Sequence, residues 1–234
     1  MTSIYCNGEY ARNNPTWGAE DSAWKAHHIS QLIDRNQIGF HSVIEVGCGA
    51  GAILNALAHR YDDDKCSFDG YDISPHAIAM AKQHDNPRVR YFLEDLEPEG
   101  FDRHYDLLLM IDVFEHVPDY MGFVAGWREK ARFKIFHIPL ELSVSSILRD
   151  TLLEARRSVG HIHYFNAKSA LATLADTGHE VIDYTFTSGA IDLYRNRPNL
   201  KTAIANVPRR LVSKFSTPLS ARLFGGYSLL VLTK

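Results

Sequence analysis

The segment Val43-Ile44-Glu45-Val46-Gly47-Cys48-Gly49-Ala50-Gly51 sets three glycines at alternate positions between a short apolar run and a stretch with helical spacing. Glycines at a strand-to-helix turn let the backbone bend sharply and come close to a ligand. Gly47, Gly49 and Ala52 also satisfy the dinucleotide pattern G-x-G-x-x-G/A, so the loop alone leaves a nicotinamide cofactor open. The acids that follow narrow the choice. Asp72 stands about twenty residues beyond the loop, where a carboxylate can accept both hydroxyls of a ribose. Asp95 and Asp112 each follow a further apolar run. Glu45 precedes the loop, and its charge would repel a pyrophosphate and attract a ligand carrying a sulfonium and an ammonium. Open α/β sheets bind ligands at the carboxyl ends of their strands, and four acids at four successive strand ends describe such a site.

In these residues the chain resembles the class I S-adenosylmethionine-dependent methyltransferases. Glu45-x-Gly47-x-Gly49-x-Gly51 is similar to their first motif, which wraps the methionine part of the cofactor. Tyr71-Asp72-Ile73-Ser74 resembles their second-strand end, whose acid holds the ribose, and Glu94-Asp95-Leu96 resembles the third, where the acid and the next backbone group meet adenine. Ile111-Asp112-Val113-Phe114-Glu115-His116-Val117-Pro118 is similar to the segment after the fourth strand in the small-molecule branch, which includes ubiquinone-biosynthesis O-methyltransferases. The resemblance spans residues 40–189. It implies S-adenosyl-L-methionine as cofactor, held by Glu45, Gly47, Cys48, Gly49, Gly51, Asp72, Ile73, Asp95, Leu96, Ile111 and Asp112. It also implies an N-terminal segment folded over the cofactor as a lid, in which Trp17 would stack or exclude water; packing under the helix that follows is the equal alternative for Trp17 and the expectation for Trp24. The amino-methyltransferases of DNA and protein glutamine share an Asn/Asp-Pro-Pro-aromatic motif after the fourth strand. Here Asp112-Val113-Phe114-Glu115 stands in its place, so no nucleic-acid acceptor is expected. Two other classes share part of the pattern: a non-catalytic module that binds S-adenosylmethionine, and a nicotinamide-dependent dehydrogenase.

Methyl transfer from a sulfonium is an in-line displacement, and the protein mainly aligns the acceptor and excludes water. A hydroxyl acceptor must also lose a proton, for which histidine is the usual agent near neutral pH. His116, just past the fourth strand, and His161 and His163, in Gly160-His161-Ile162-His163-Tyr164-Phe165, are the catalytic candidates, with His137 a weaker one. His161 and His163 would face one way on an extended segment, as half of a metal site does. No Cys or Glu stands at a spacing that completes the set, and no metal is expected.

The elements that must position these residues read as alternating strands and helices. Strands are expected at 42–46, 66–72, 89–93, 105–111 and 133–138, with helices between them. Ser74 suits an N-cap and Pro75 the first helical position. Apolar strands bounded by helices mean a parallel sheet covered on both faces. With strand candidates at 180–187 and 227–232, the fold class is α/β: a doubly wound, Rossmann-like, mostly parallel seven-stranded sheet with a C-terminal antiparallel hairpin and helices on both faces. Residues 1–234 read as one methyltransferase domain. An N-terminal cap and an amphipathic helix through Trp24, His28 and Leu32 occupy 1–39, the cofactor-binding core 40–189, a basic helical insertion 190–226, and the final strand 227–234.

Composition sets the outer bounds. A hydrophobic fraction of 45% supports a packed core, and 25 Lys+Arg against 28 Asp+Glu give a net charge of −3, which argues against general nucleic-acid binding. Cys6, Cys48 and Cys66 form no C-x-x-C pair and fit a reducing cytoplasm. Charge is segregated: residues 190–226 carry seven basic side chains and one acid. Leu200, Ile204, Val207, Leu211, Val212 and Phe215 recur there at helical spacing, and Pro208 is expected to divide the segment into two short helices. The plain expectation is an apolar stripe packed on the domain with a solvated basic face. The alternatives are peripheral contact with an anionic membrane or a homodimer. The acceptor is thus a small molecule, a glycan or a lipid-linked intermediate.

Overall fold

The computed structural model describes residues 4–6, 8–193 and 200–234. One sheet contains β1 (Ser42–Val46), β2 (Ser67–Asp72), β3 (Val89–Leu93), β4 (Tyr105–Ile111), β5 (Ala131–Pro139), β6 (Val181–Thr187) and β7 (Ser228–Thr233). Their order is β3-β2-β1-β4-β5-β7-β6. The first five strands run parallel, and β7 lies antiparallel to both β5 and β6. The expected doubly wound sheet with a reversed hairpin is therefore the observed one.

β4 is apolar from Leu107 to Ile111 because both of its faces are covered. Leu107, Leu109 and Ile111 point into a core shared with the helices Ala19–Arg35 and Ala52–Arg60, while Leu108 and Met110 point into one with Phe114, Trp127, Phe136 and Phe165. A strand buried on both faces favours apolar residues along its whole length, and the polar exceptions on neighbouring strands, Glu45, Asp69, Lys134 and His137, are themselves buried. The register then brings the ligand-bearing residues to one edge. Val46 lies opposite Tyr71 and Met110, Asp72 opposite Leu93, and Ile111 opposite His137. Gly47, Asp72, Asp95 and Asp112 thus leave the sheet at the same end. Ser74 caps its helix by accepting from the Ala77 N–H, with Pro75 at the first position.

Two expectations about helix faces are corrected. The helix Ala19–Arg35 buries Ala26, Ile29, Leu32 and Ile33, whereas Trp24 and His28 pack edge to face with ring centres 4.8 Å apart, only partly covered. The larger correction is in the insertion, where Leu200–Ser213 is one helix containing Pro208 and the division comes before Thr217–Phe224. Proline at 208 removes one i→i−4 bond, to the carbonyl of Ile204, without ending the helix. The helix is oriented by two polar anchors. Asn206 donates to the Ala190 carbonyl, and buried Arg209 donates to the carbonyls of Gly225 and Phe224 and to Asn206 Oδ1. With that face turned inward, the apolar stripe turns outward: Leu200 is 77% and Phe215 85% exposed, and Ile204, Val207 and Leu211 are exposed between them. Arg210, Lys214 and Arg222 are also exposed. Arg195 and Arg197, which contribute to the basic balance, lie outside the described residues, as does the side chain of Lys201. Among the described residues no helix is long and apolar enough to cross a membrane.

Candidate functional site

A cavity of about 1260 Å³ opens at the carboxyl edge of the sheet, which is more than one small ligand needs. Trp17, Gly47, Gly49, Asp72, Ile73, Asp95, Leu96, Ile111, Asp112, His116 and His161 line it, and Glu45, Cys48, Gly51 and His163 do not. The N-terminal segment covers it through an aromatic chain. Tyr5 and Tyr10 have ring centres 5.0 Å apart, Tyr10 and Trp17 4.5 Å, and all three line the cavity, as does Trp24.

The glycine loop is built on β2. The N–H groups of Gly47 and Cys48 both donate to the Tyr71 carbonyl, and the Gly49 N–H donates to Asp72 Oδ2 at 2.9 Å. Asp72 Oδ1 accepts from the Ser74 N–H at 2.8 Å, so each carboxylate oxygen keeps acceptor capacity for a ribose hydroxyl. Burial raises the Asp72 carboxyl above the usual carboxylate range, against the lowering effect of those two N–H groups. Gly49 has φ +53°, and a Cβ there would meet nothing nearer than the Trp17 carbonyl at 3.8 Å. It is a cradle that a side chain would fill. Gly51 serves a different purpose: a Cβ there would fall 2.5 Å from the Tyr91 ring and 2.8 Å from Ala81 Cβ, so this glycine packs the loop onto the core. Cys48 is buried in that core.

Glu45 is buried, with Oε2 lacking a hydrogen-bond partner among the described residues, and burial pushes its carboxyl well above the usual range. Glu45 does not line the cavity, so the attraction expected of its charge is not provided there. Asp112, in the left-handed region at φ +55°, receives Lys25 Nζ at 2.7 Å and His137 Nδ1 at 2.6 Å. Burial works to raise its carboxyl, but His137 and Lys25 outweigh it and hold Asp112 ionised far below the usual range. His137 Nε2 lies 2.9 Å from Thr187 Oγ1 on the hairpin, which ties the reversed strands to the site.

Beyond Asp112 lies a second group. Glu115 is fully buried and neither carboxylate oxygen has a hydrogen-bond partner among the described residues. Its Oε1 is 3.9 Å from His116 Nε2 and 3.8 Å from His161 Nε2. His116 Nδ1 meets the Tyr5 hydroxyl at 2.8 Å. His161 Nδ1 is 2.8 Å from Glu141 Oε2, without the alignment of a hydrogen bond. Burial first, and the neighbouring His161 second, press the His116 imidazole down to about 4, so it is neutral at neutral pH. Burial, with Asp112 adding to it, raises the Glu115 carboxyl well above its usual range. A buried polar atom left unpaired costs about 1–3 kcal/mol, so a carboxyl with two such atoms is an expensive feature. His163 turns away: its Nε2 lies 3.0 Å from the Val117 carbonyl and its ring packs on Tyr120. The partner of His161 is thus His116, and the pairing suggested by the alternate spacing does not form.

Lys25, Glu115 and Glu141 were not singled out by the sequence. Glu115 stands inside the segment after β4, where its place between Asp112 and His116 is the one signal that could have found it. A lone lysine on an amphipathic helix carries no such signal.

Comparison with known proteins agrees with this geometry. Residues 44–132 match a family described as a methyltransferase domain. A malonyl-[acyl-carrier protein] O-methyltransferase of Ilyobacter polytropus is 31% identical over 83 residues, which is 35% of this chain and 30% of that protein. A ubiquinone biosynthesis O-methyltransferase of Nitrosospira multiformis is 28% identical over 127 residues, 50% of this chain and 52% of that one. The chain thus spans from under a third to about half of the length of these relatives. Magnesium protoporphyrin IX methyltransferase from Synechocystis PCC 6803, solved with S-adenosylhomocysteine bound, shares the fold at a TM-score of 0.58 and 15% identity, covering 91% of this chain and 82% of that one. The residues present fit such a cofactor: the open cradle at Gly49, the spare acceptor capacity of Asp72, and Asp95 with buried Leu96 beyond it all line one cavity.

Proposed function

We propose, from the premise that this chain is a class I S-adenosylmethionine-dependent methyltransferase, that it methylates an oxygen or nitrogen of a small acceptor held at an anionic lipid surface. When bound, S-adenosylmethionine supplies a methyl group already activated by its sulfonium. The chain's own residues then have four tasks. Asp72 and the Gly47–Gly49 turn hold the ribose and methionine portions, and Asp95 with Leu96 borders the adenine. Tyr10, Trp17 and Trp24 exclude water from above. Asp112, paired with Lys25 and hydrogen-bonded to His137, ties the N-terminal helix and β5 together at the edge of the cavity. His116 and His161 face the remaining cavity, with buried Glu115 beside them, and handle the acceptor's proton. Holding the reactants in line supplies several kcal/mol of the barrier lowering, on the order of 7–11 kcal/mol at most.

The outward apolar stripe of Leu200–Ser213 carries the acceptor class. That helix packs on Thr217–Phe224, which in turn packs on Val144–Leu148. Ile147, Leu148 and Leu153 are exposed beside it, while Ser143, Ser146, Arg149 and Leu152 from the same stretch line the cavity. An exposed apolar face next to the mouth of a pocket, flanked by Arg210, Lys214 and Arg222, has the chemistry of an anionic lipid interface. Each basic residue contributes about 1 kcal/mol there, and each apolar side chain adds up to about 1.5–3 kcal/mol if fully buried. Co-sedimentation with phosphatidylserine vesicles is expected to capture the chain at low salt. High salt should weaken this binding, and Leu211→Asp with Phe215→Asp should abolish it. A concentration-dependent dimer that loses its association through the same substitutions, with no vesicle binding, would assign the stripe to self-association and overturn the lipid reading.

A further inference from the structure

We infer that Arg149 and Arg209 form a subsite for an anionic group, a carboxylate or a phosphate, carried by the methyl acceptor. The subsite rests on the arrangement of charge, and its role toward an acceptor rests on the methyltransferase reading. Both residues line the cavity. They come from segments far apart in sequence: Arg149 follows the short helix Val144–Leu148, and Arg209 lies on Leu200–Ser213. Arg209 is 8% exposed, yet neither arginine has an acidic partner among the described residues. Buried charges are as a rule paired. Here burial lowers the Arg209 pKa, Tyr227 works against that, and the positive charge of Arg149 adds to it. Glu141 also lines the cavity, but its Oε2 lies 2.8 Å from His161 Nδ1. Two like charges on one cavity wall, with no carboxylate paired to either, are the arrangement that an incoming anion relieves.

The hydrogen bonds of Arg209 set the shape of the anion. Nε donates to the Gly225 carbonyl, Nη2 to the Phe224 carbonyl and Nη1 to Asn206 Oδ1. A guanidinium has five N–H groups, so one remains on each terminal nitrogen. Such a pair matches two oxygens of a carboxylate or a phosphate. Gly226 makes room for it: a Cβ there would fall 3.2 Å from Arg209 Cζ and 2.6 Å from Ala190 Cβ. Arg149 is exposed and supplies the second positive charge. Position separates this subsite from the cofactor cradle. Arg209 is bonded just before β7, whereas the glycine loop leaves β1 and His116 follows β4. In the sheet β5 is one strand and β7 two strands beyond β4. Neighbouring strands lie about 4.8 Å apart, so the acceptor is expected to carry its anionic group roughly 5–10 Å from the atom that is methylated.

Calorimetry on the full chain, with and without saturating S-adenosylhomocysteine, tests the subsite. Phenyl phosphate and benzoate are the anionic probes and benzyl alcohol the neutral one. Saturable binding of at least one anion is expected in the presence of S-adenosylhomocysteine, with the alcohol about 10-fold weaker or more. Arg149→Gln, at an exposed position, should weaken the anion about 10-fold or more. Arg209→Lys keeps the charge but loses the paired N–H groups, and should weaken it similarly while circular dichroism stays native. Arg157→Gln, exposed and outside the cavity, should leave it unchanged. No saturable binding of either anion, equal binding of the alcohol, or indifference to Arg149→Gln would overturn the subsite. Binding confined to the cofactor-free chain would assign the arginines to the cofactor's own carboxylate. Displacement of phenyl phosphate by phosphatidylserine vesicles would assign them to a lipid headgroup, and either result overturns the acceptor role. Loss of anion binding with S-adenosylhomocysteine still bound removes this inference alone. Anion binding to a chain that binds no S-adenosylhomocysteine removes the methyltransferase reading alone.

Discussion

His116→Ala and His161→Ala are each expected to lower methyl transfer by about 100-fold or more, with cofactor affinity retained. His163→Ala should cost about 1 kcal/mol of stability and little turnover. All three histidines carry similar weight in the sequence, and packing separates them. His116 and His161 border the cavity with ring centres 4.7 Å apart and point Nε2 at buried Glu115. His163 is spent on the Val117 carbonyl and the face of Tyr120. Removing either imidazole breaks the pair that borders the cavity. Single-turnover assays with methyl-labelled cofactor would read the difference. Equal losses for His116→Ala and His163→Ala would show that the cluster has no special place in the chemistry.

Asp72→Ala is expected to weaken S-adenosylmethionine binding by roughly 10- to 150-fold, the equivalent of about 1.5–3 kcal/mol for charge-assisted contacts. The effect has two parts, because the same carboxylate faces the ribose and holds the Gly49 and Ser74 N–H groups in place. Asp72→Asn should recover only part of the loss. Its amide offers one acceptor atom where the loop presents two donors. Burial raises this carboxyl, so cofactor affinity should begin to fall at a higher pH than an ordinary aspartate would give. The sign follows from charge: on acidification the carboxyl protonates, the charge-assisted contacts weaken, and binding is lost as pH drops through the raised value. Affinity unchanged in a folded Asp72→Ala variant would remove the ribose assignment.

The sheet was legible because strands buried on both faces are mostly apolar, as β4 is from Leu107 to Ile111, although β1, β2 and β5 also bury Glu45, Asp69, Lys134 and His137. The strand-end acids were legible because register aligns the strand ends once the sheet is parallel. Which glycine faces a ligand was not. Gly49 and Gly51 occupy equivalent places in the alternation, and only the Tyr91 ring pressing on Gly51 marks that glycine as a packing residue. Glu45 was expected to attract the ligand by its charge, but its strand position buries it. His161 and His163 share a side only on extended backbone, and residues 160–166 form no strand. In the insertion the stripe was visible at helical spacing, yet its direction was set by Asn206 and Arg209, polar residues that a hydropathy pattern assigns to water. Lys25 escaped notice because its partner Asp112 is 87 residues away in sequence.

The central claim is that the cavity is built for S-adenosylmethionine, and direct titration calorimetry on the full chain tests it most simply. Saturable binding of one S-adenosylmethionine per chain, with no heat from NAD+ under the same conditions, is the predicted result. Saturable NAD+ binding with none of S-adenosylmethionine or S-adenosylhomocysteine would contradict it, and would return the Gly47–Gly49 loop to the dinucleotide reading that its spacing also permits.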